Sequence, residues 1–224
     1  LVSIAKPVWG DNVGVVSLTQ TADNNVTLTN IGDVVIGNFP VGTTEVSFTA
    51  SDSSGNTTSC SITIIVVDDQ LPLISNMPSD ITQVNDAGVC GATVRWTTPL
   101  ASDNCGIDSF VSSHQSGDVF PIGTTTVTYT ATDIHGNIFS SDFNITINDT
   151  ENPVVSTPAN ILSMNYVSEP NNCGATVLWS EPVVTDNCDI LQIEQSHTSG
   201  DLFEEGDTNV VYTITDIHGN VMTY

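Results

Sequence analysis

Apolar residues recur at every second position of this chain, in short runs broken by glycine, proline, asparagine and aspartate. In Val127-Thr128-Tyr129-Thr130-Ala131 the apolar side chains point one way and the threonines the other. The same inward set returns in Val46-Ser47-Phe48-Thr49-Ala50 and in Val210-Val211-Tyr212-Thr213-Ile214. Phe143, Ile145 and Ile147 alternate with Asn144 and Thr146, and Ile62, Ile64 and Val66 follow the same rule. A period of two marks strands with one buried face, and no segment carries a convincing helical period. Turn chemistry fills the breaks. Phe120-Pro121-Ile122-Gly123 fits a type I turn, with proline second and glycine fourth. Ile134-His135-Gly136 fits a three-residue hairpin loop in which Gly136 supplies the left-handed residue. The pattern predicts an all-β chain of tandem antiparallel β-sandwich units.

The units are copies of one another. Cys90-Gly91-Ala92-Thr93-Val94 with Trp96 returns as Cys173-Gly174-Ala175-Thr176-Val177 with Trp179, an offset of 83. Asp103-Asn104-Cys105 returns as Asp186-Asn187-Cys188, and Asp133 to Asn137 returns as Asp216 to Asn220, at the same offset of 83. A diverged copy lies upstream, where Phe39 to Thr44 matches Phe120 to Thr125 at an offset of 81. Asp11-Asn12 aligns with Asp103-Asn104, but Phe39 follows Asp11 by 28 positions where Phe120 follows Asp103 by 17, which leaves 11 extra residues. These predict a longer loop or an added hairpin around Gln20–Gly37. The expected repeats are 1–68, 69–149 and 150–224. By this phasing the first is incomplete at its start and the third lacks its final strand. The expectation is a window on a longer array, or a strand supplied by another chain.

Charge narrows the function. One lysine, Lys6, and one arginine, Arg95, stand against 26 acids, for a net charge of -24. Nucleic acid is excluded as a partner, because such binding rests on Lys and Arg neutralising phosphates. Anionic membrane surfaces are disfavoured for the same reason. No apolar run approaches the roughly 20 residues of a membrane span, so no membrane insertion is expected within this segment. Residues 1–30 carry no signal peptide. The acidity reads as a solubility device in a salty medium, or as carboxylates that hold Ca²⁺, a hard cation that takes oxygen ligands.

Small sandwiches commonly need staples. Cys90 and Cys105 lie 15 residues apart, and Cys173 and Cys188 repeat that spacing. Two bridges within repeats are therefore expected, each worth roughly 3 kcal/mol by loop entropy, in an oxidising compartment. A metal role for these cysteines has little support, since no CxxC appears. Cys60 shares strand parity with Ile62 and Ile64, so it should face the core, as a buried free thiol or a partner of a cysteine elsewhere.

At these residues the chain resembles the hyalin repeat, or HYR, family. The pattern in the second copy runs through Cys90 to Val94, Trp96, Pro99, Asp103-Asn104-Cys105, Gly117, Phe120 to Val127, Thr130 to Asp133 and Gly136-Asn137. It covers the second and third copies closely and the first partially. Departures are Glu204-Glu205 in place of Pro121-Ile122, and Val13 where the later copies have cysteine. The resemblance implies immunoglobulin-like sandwiches in extracellular adhesive or structural proteins, with no catalytic role. It also implies kinship with the repeats of large bacterial surface adhesins, including those linked to gliding.

Candidate sites follow from the linkers. Val67-Asp68-Asp69-Gln70-Leu71-Pro72 aligns with Asn148-Asp149-Thr150-Glu151-Asn152-Pro153, placing oxygen ligands just before a stiffening proline. Ca²⁺ held by Asp68, Asp69, Asp149 or Glu151, with Asp103 or Asp186 from the next unit, would fix each junction. The alternative is that these acids are solvated or cap turns. Asp133 and Asp216, with Asp52 as their counterpart in the first copy, open Asx-type turns, with a metal-ligand role as the alternative. His114, His135, His197 and His218 read as structural, and Trp96 and Trp179 as core. No nucleophile motif or phosphate loop appears. The functional expectation is a non-catalytic extracellular stalk at the cell surface. Its partners are neighbouring repeats, with surface glycans or other proteins beyond them. The alternatives are a spacer or carbohydrate-binding module of a secreted polysaccharide-degrading enzyme, and a subunit of an extracellular filament.

Overall fold

A computed structural model describes residues 1–12, 14–161 and 173–224, and Val13 falls outside them. Every regular element among the described residues is a β-strand. The chain divides into two compact units, Leu1–Gln70 and Leu71–Tyr224.

In the first unit one sheet joins Val2–Ala5, Val34–Gly37 and Thr29–Ile31, and the other joins Val15–Ala22, Gly42–Asp52 and Thr57–Val66. The expected extra hairpin exists: Thr29–Ile31 turns through Gly32, at φ 57°, into Val34–Gly37. Ile4, Val35, Val46 and Phe48 form the core, with Leu18, Phe39 and Ile64 packed against it. Cys60 corrects the parity argument. It is exposed, not buried, and carries no disulfide. Thr57–Val66 is a sheet edge, and the core reaches Ile64 but neither Cys60 nor Ile62, which is 42% exposed.

In the second unit Ile107–Ser112, Gly123–Asp133, Ile138–Asn148 and Ile81–Val84 make a four-stranded sheet, the last strand pairing parallel to Ile138–Asn148. Two ribbons complete this repeat: Leu73–Ser75 with Leu100–Ser102, and Gly91–Thr93 with Val119–Pro121. The alternation decides the packing. Val127, Tyr129, Ala131, Phe143, Ile145 and Ile147 all point into the core, which Val94 and Phe120 fill from the other side. Each such large apolar side chain contributes roughly 1.5–3 kcal/mol on burial. Trp96 stands edge-on to Phe120 and Phe143, and its Nε1–H donates to the Tyr129 hydroxyl at 2.8 Å.

The next repeat copies this plan. Ile190–Gln195, Tyr212–Asp216 and Val221–Thr223 form its larger sheet, so the residues after Asn220 do form a strand. Trp179 Nε1–H donates to the Tyr212 hydroxyl at 2.6 Å. Gly91 and Gly174 mark a shared close approach, because a Cβ on either would collide with the carbonyl oxygen of Phe120 or Phe203.

Candidate functional site at the junction of the second and third repeats

The Asp-x-x-Gly-Asn hairpins supply one wall of the site. Asp216 Oδ1 accepts from the backbone N–H of His218 and of Asn220, both at 2.8 Å, and Oδ2 accepts from the Asn220 amide at 2.7 Å. Asp133 does the same with His135 and Asn137, and Asp52 with Ser54 and Asn56. Gly55, Gly136 and Gly219 sit at φ 85°, 91° and 91°, as a left-handed hairpin residue must. These are the expected Asx-type turns. Asp133 and Asp216 are also buried, at 1% and 0% exposure. Burial alone would raise both carboxyls. The asparagine amide and the backbone N–H groups of each turn outweigh it and hold both below the usual carboxylate range.

The second wall is the linker. Asn85, buried, donates its backbone N–H to Asn148 O at 3.0 Å, and its Oδ1 accepts from Thr150 N–H at 3.1 Å. Glu151 reaches back to the Gly88 N–H, at 2.8 and 3.1 Å to its two oxygens. Asp149 therefore emerges in a fixed position with its side chain fully buried. Its Oδ2 meets His218 Nδ1 at 2.9 Å, and its Oδ1 accepts from the Asn187 amide at 3.2 Å. That amide also donates to Val89 O at 3.3 Å, tying the third repeat to the second.

The third wall is covalent and corrects the cysteine pairing. Cys90 bonds to Cys188, across the junction, with Cα atoms 4.7 Å apart. It does not bond to Cys105, nor does Cys173 bond to Cys188. Cys90 precedes Gly91, which pairs with Pro121 just before Gly123, the start of the Gly123–Asp133 strand. Cys105 precedes Ile107, which pairs with Asp133 at that strand's far end. Ten steps of about 3.3 Å separate the two ends, far beyond the roughly 7 Å that a disulfide can span. The chain crosses the sandwich within those 15 residues. Cys173 and Cys188 are parted the same way, since Gly174 pairs with Glu204 and Ile190 with Asp216.

Asp149, Asp186 and Asp216 each place a carboxylate oxygen within 4.8 Å of the others. Asp186 uses Oδ2 to cap Cys188 N–H at 2.9 Å, while its Oδ1 and the Asn187 Oδ1 are buried with no hydrogen-bond donor. Arg95, the strong cation of this unit, lies beside Gly117. Cys188 and His218 lie in reach of Asp149 as well. The sulfur is oxidised, so no thiolate is offered, and His218 Nδ1 is engaged by Asp149 Oδ2, which leaves an oxygen donor set.

Of the residues expected here, Asp149 and Asp186 come together. Glu151 instead clamps Gly88. Asp103 caps Cys105 N–H at 2.8 Å, Asp68 caps Gln70 N–H at 3.3 Å, and Asp69 is exposed. Asp216, Asn187 and His218 were missed as junction residues. The repeated turn motif marked Asp216 first as a turn former, with a metal-ligand role as the alternative, and no local spacing shows that the turn faces a linker.

The HYR domain profile matches residues 2–66, 67–147 and 148–223. Hyalin of Strongylocentrotus purpuratus is 38% identical over 224 residues, covering 96% of this chain and 18% of that protein. Hyalin of Lytechinus variegatus is 36% identical over 232 residues, covering 100% of this chain and 41% of that protein. A Rattus norvegicus protein, "Sushi, von Willebrand factor type A, EGF and pentraxin domain-containing protein 1", is 40% identical over 125 residues, covering 54% of this chain and 3% of its own length. The chain thus spans less than half of each relative. Among solved structures, PcdhgB3 EC1-4 aligns at 14% identity with a TM-score of 0.32, covering 100% of this chain and 69% of its own.

Proposed function

This chain belongs to the HYR domain family, and from that membership and the junction geometry we propose that it is a non-catalytic, extracellular structural or adhesive segment. Its work is to hold successive repeats in fixed relation. The observation that carries this reading is the Cys90–Cys188 bond, which joins one repeat to the next and needs an oxidising compartment. The hyalin relatives support it. The hyalin relatives do not speak for a bacterial gliding adhesin in particular. A carbohydrate-binding module would want an exposed aromatic platform, whereas Trp179 is 7% exposed and both Trp96 and Trp179 spend their N–H groups on core tyrosines.

Calcium completes the proposal. Like charges within 4.8 Å of one another repel by about 3.5 kcal/mol or more per pair at an effective dielectric near 20. Holding three of them together, one on a buried residue and two on half-buried ones, without a cation is costly. Asp149, Asp186 and Asp216 would hold the ion, and the undonated oxygens of Asp186 and Asn187 offer further acceptors at the same place. Ca²⁺ suits this hard, oxygen-only, partly irregular set, and it would neutralise the charge that the turn and the linker bring together.

The test is thermal unfolding of the full chain in Ca²⁺ and in EDTA at equal ionic strength. At Ca²⁺ near 100 times Kd, ligand linkage adds about 2.7 kcal/mol, a rise of roughly 5–10 °C for a unit of this size. Asp186→Asn keeps a cap for Cys188 N–H but removes a charge, and should abolish most of the Ca²⁺-dependent rise. An unchanged Tm in the parent chain overturns the calcium proposal and leaves the disulfide and hydrogen bonds to fix the junction.

A further inference from the structure

We propose that Cys173 is the bridging point for another repeat: its sulfur pairs with the cysteine of an Asp-Asn-Cys loop from a further unit of this kind, as Cys90 pairs with Cys188. The inference stands apart from the calcium reading and rests on register. Cys173 follows Cys90 by 83 positions, and Cys188 follows Cys105 by the same 83. The backbone just after the two leading cysteines is the same. Gly91 pairs with Pro121 and Gly174 with Glu204, again 83 apart, and each glycine admits the carbonyl of the facing phenylalanine. Cys173 and Cys90 therefore sit at the same end of equivalent sandwiches.

That end decides the partner. The cysteine within the same repeat, Cys188, lies at the opposite end of the Tyr212–Asp216 strand and is already bonded. Cys173 is exposed and carries no disulfide. The complementary loop is preorganised by its own sequence: Asp186 caps Cys188 N–H at 2.9 Å and Asp103 caps Cys105 N–H at 2.8 Å, so each Asp-Asn-Cys turn presents its sulfur from a fixed backbone. The Asn187 amide adds a bond to Val89 O, the residue just before the leading cysteine. The recognition unit is thus a whole loop that seats beside the cysteine before the bond forms.

The chemistry is a two-electron oxidation. Two thiols give one disulfide, and their two protons and two electrons pass to a disulfide oxidant such as oxidised glutathione, which leaves as two glutathione thiols. Neighbouring repeats joined by this rule form a ladder in which each unit is tied forward by its first cysteine and backward by its second.

The experiment extends the full chain in register. Tyr224 is the counterpart of Ser141, so residues 142–224 placed directly after it continue the repeat. The added copy carries Cys173→Ser, which leaves one candidate, and the exposed-site change Leu191→Val, which marks its Asp-Asn-Cys peptide by mass. After folding in a glutathione redox buffer, free thiols are blocked with maleimide and the chain is digested without reduction. The expected products are Cys90 joined to the original Cys188, and Cys173 joined to the added copy's cysteine. Cys173 should pass from nearly fully blocked by maleimide in the parent chain to almost unblocked in the extended one. Cys173 blocked in an extended chain that retains Cys90–Cys188, or Cys173 joined to the original Cys188, overturns the proposal. Should the extended chain fail to form Cys90–Cys188, the parent chain with oxidised glutathione decides. Uptake of glutathione at Cys173, whatever the exposed Cys60 takes up, supports an open bridging point, and a bond from Cys173 to Cys188 refutes it.

Discussion

Removing the cross-repeat bond should cost the second unit far more than a surface disulfide would. Cys90 and Cys188 are separated by 98 positions. Closing a loop of that length removes about 4.7 kcal/mol of freedom from the unfolded chain, against about 3 kcal/mol for the 15-residue loop that the spacing suggested. Cys188→Ser should therefore lower the stability of the Leu71–Tyr224 unit by about 4–5 kcal/mol, or roughly 10–20 °C in Tm. Urea unfolding of the full chain, followed by the tryptophan signal of Trp96 and Trp179, reads this. Cys60→Ser serves as the control for cysteine replacement as such. The decisive comparison is a double-mutant cycle. A single bond can be lost only once, so Cys90→Ser, Cys188→Ser and the double variant should be equally destabilised. Losses that add, or a Cys90–Cys105 peptide recovered from the oxidised chain, would refute the cross-repeat assignment.

Acid should weaken the same molecule through its turns. Asp52, Asp133 and Asp216 all have folded pKa values below the ordinary one. Between the folded value and the unfolded value near 3.9 the unfolded chain binds protons that the native one does not, so stability rises with pH there. Their contribution is complete above about pH 4 and disappears as pH falls through the folded values; Tm against pH should be steep below about pH 4, and Asp133→Asn should flatten that limb. A backbone prediction concerns Gly91→Ala, whose new Cβ would lie 2.5 Å from the Phe120 carbonyl oxygen at φ +155°. It should cost about 1–3 kcal/mol in urea unfolding, whereas Gly10→Ala, where nothing lies within 4 Å, should change little.

Much of this architecture was legible because its causes are local. Alternation placed Val127, Tyr129 and Ala131 on one face, and the structure buries all three. The Gly136 and Gly219 turns followed from one residue type at one position in a hairpin. The inserted hairpin of the first repeat showed itself as surplus length against a template. What stayed hidden depends on which end of a sandwich a residue reaches. Cys90 and Cys105 are near in sequence and far apart in space, because the segment between them traverses the whole repeat. The place of Asp216 at the junction stayed hidden for the same reason: its turn motif describes its own hydrogen bonds and says nothing of the Asp149 side chain that comes to face it. Parity likewise told which way Cys60 points, but not that its strand is an uncovered edge.

Tension along the second unit meets the Cys90–Cys188 bond as a shortcut. Force that arrives at residue 90 leaves at residue 188 through sulfur, and the polypeptide between them carries none of it. That slack includes the Gly123–Asp133 and Ile138–Asn148 strands and the Asn148–Pro153 linker. Fully drawn out, 98 residues would lengthen the chain by about 330 Å, and the bond withholds all of it. A material woven from such units would stretch little before it broke. Under reducing conditions the same fibre would become extensible, one stored loop at a time.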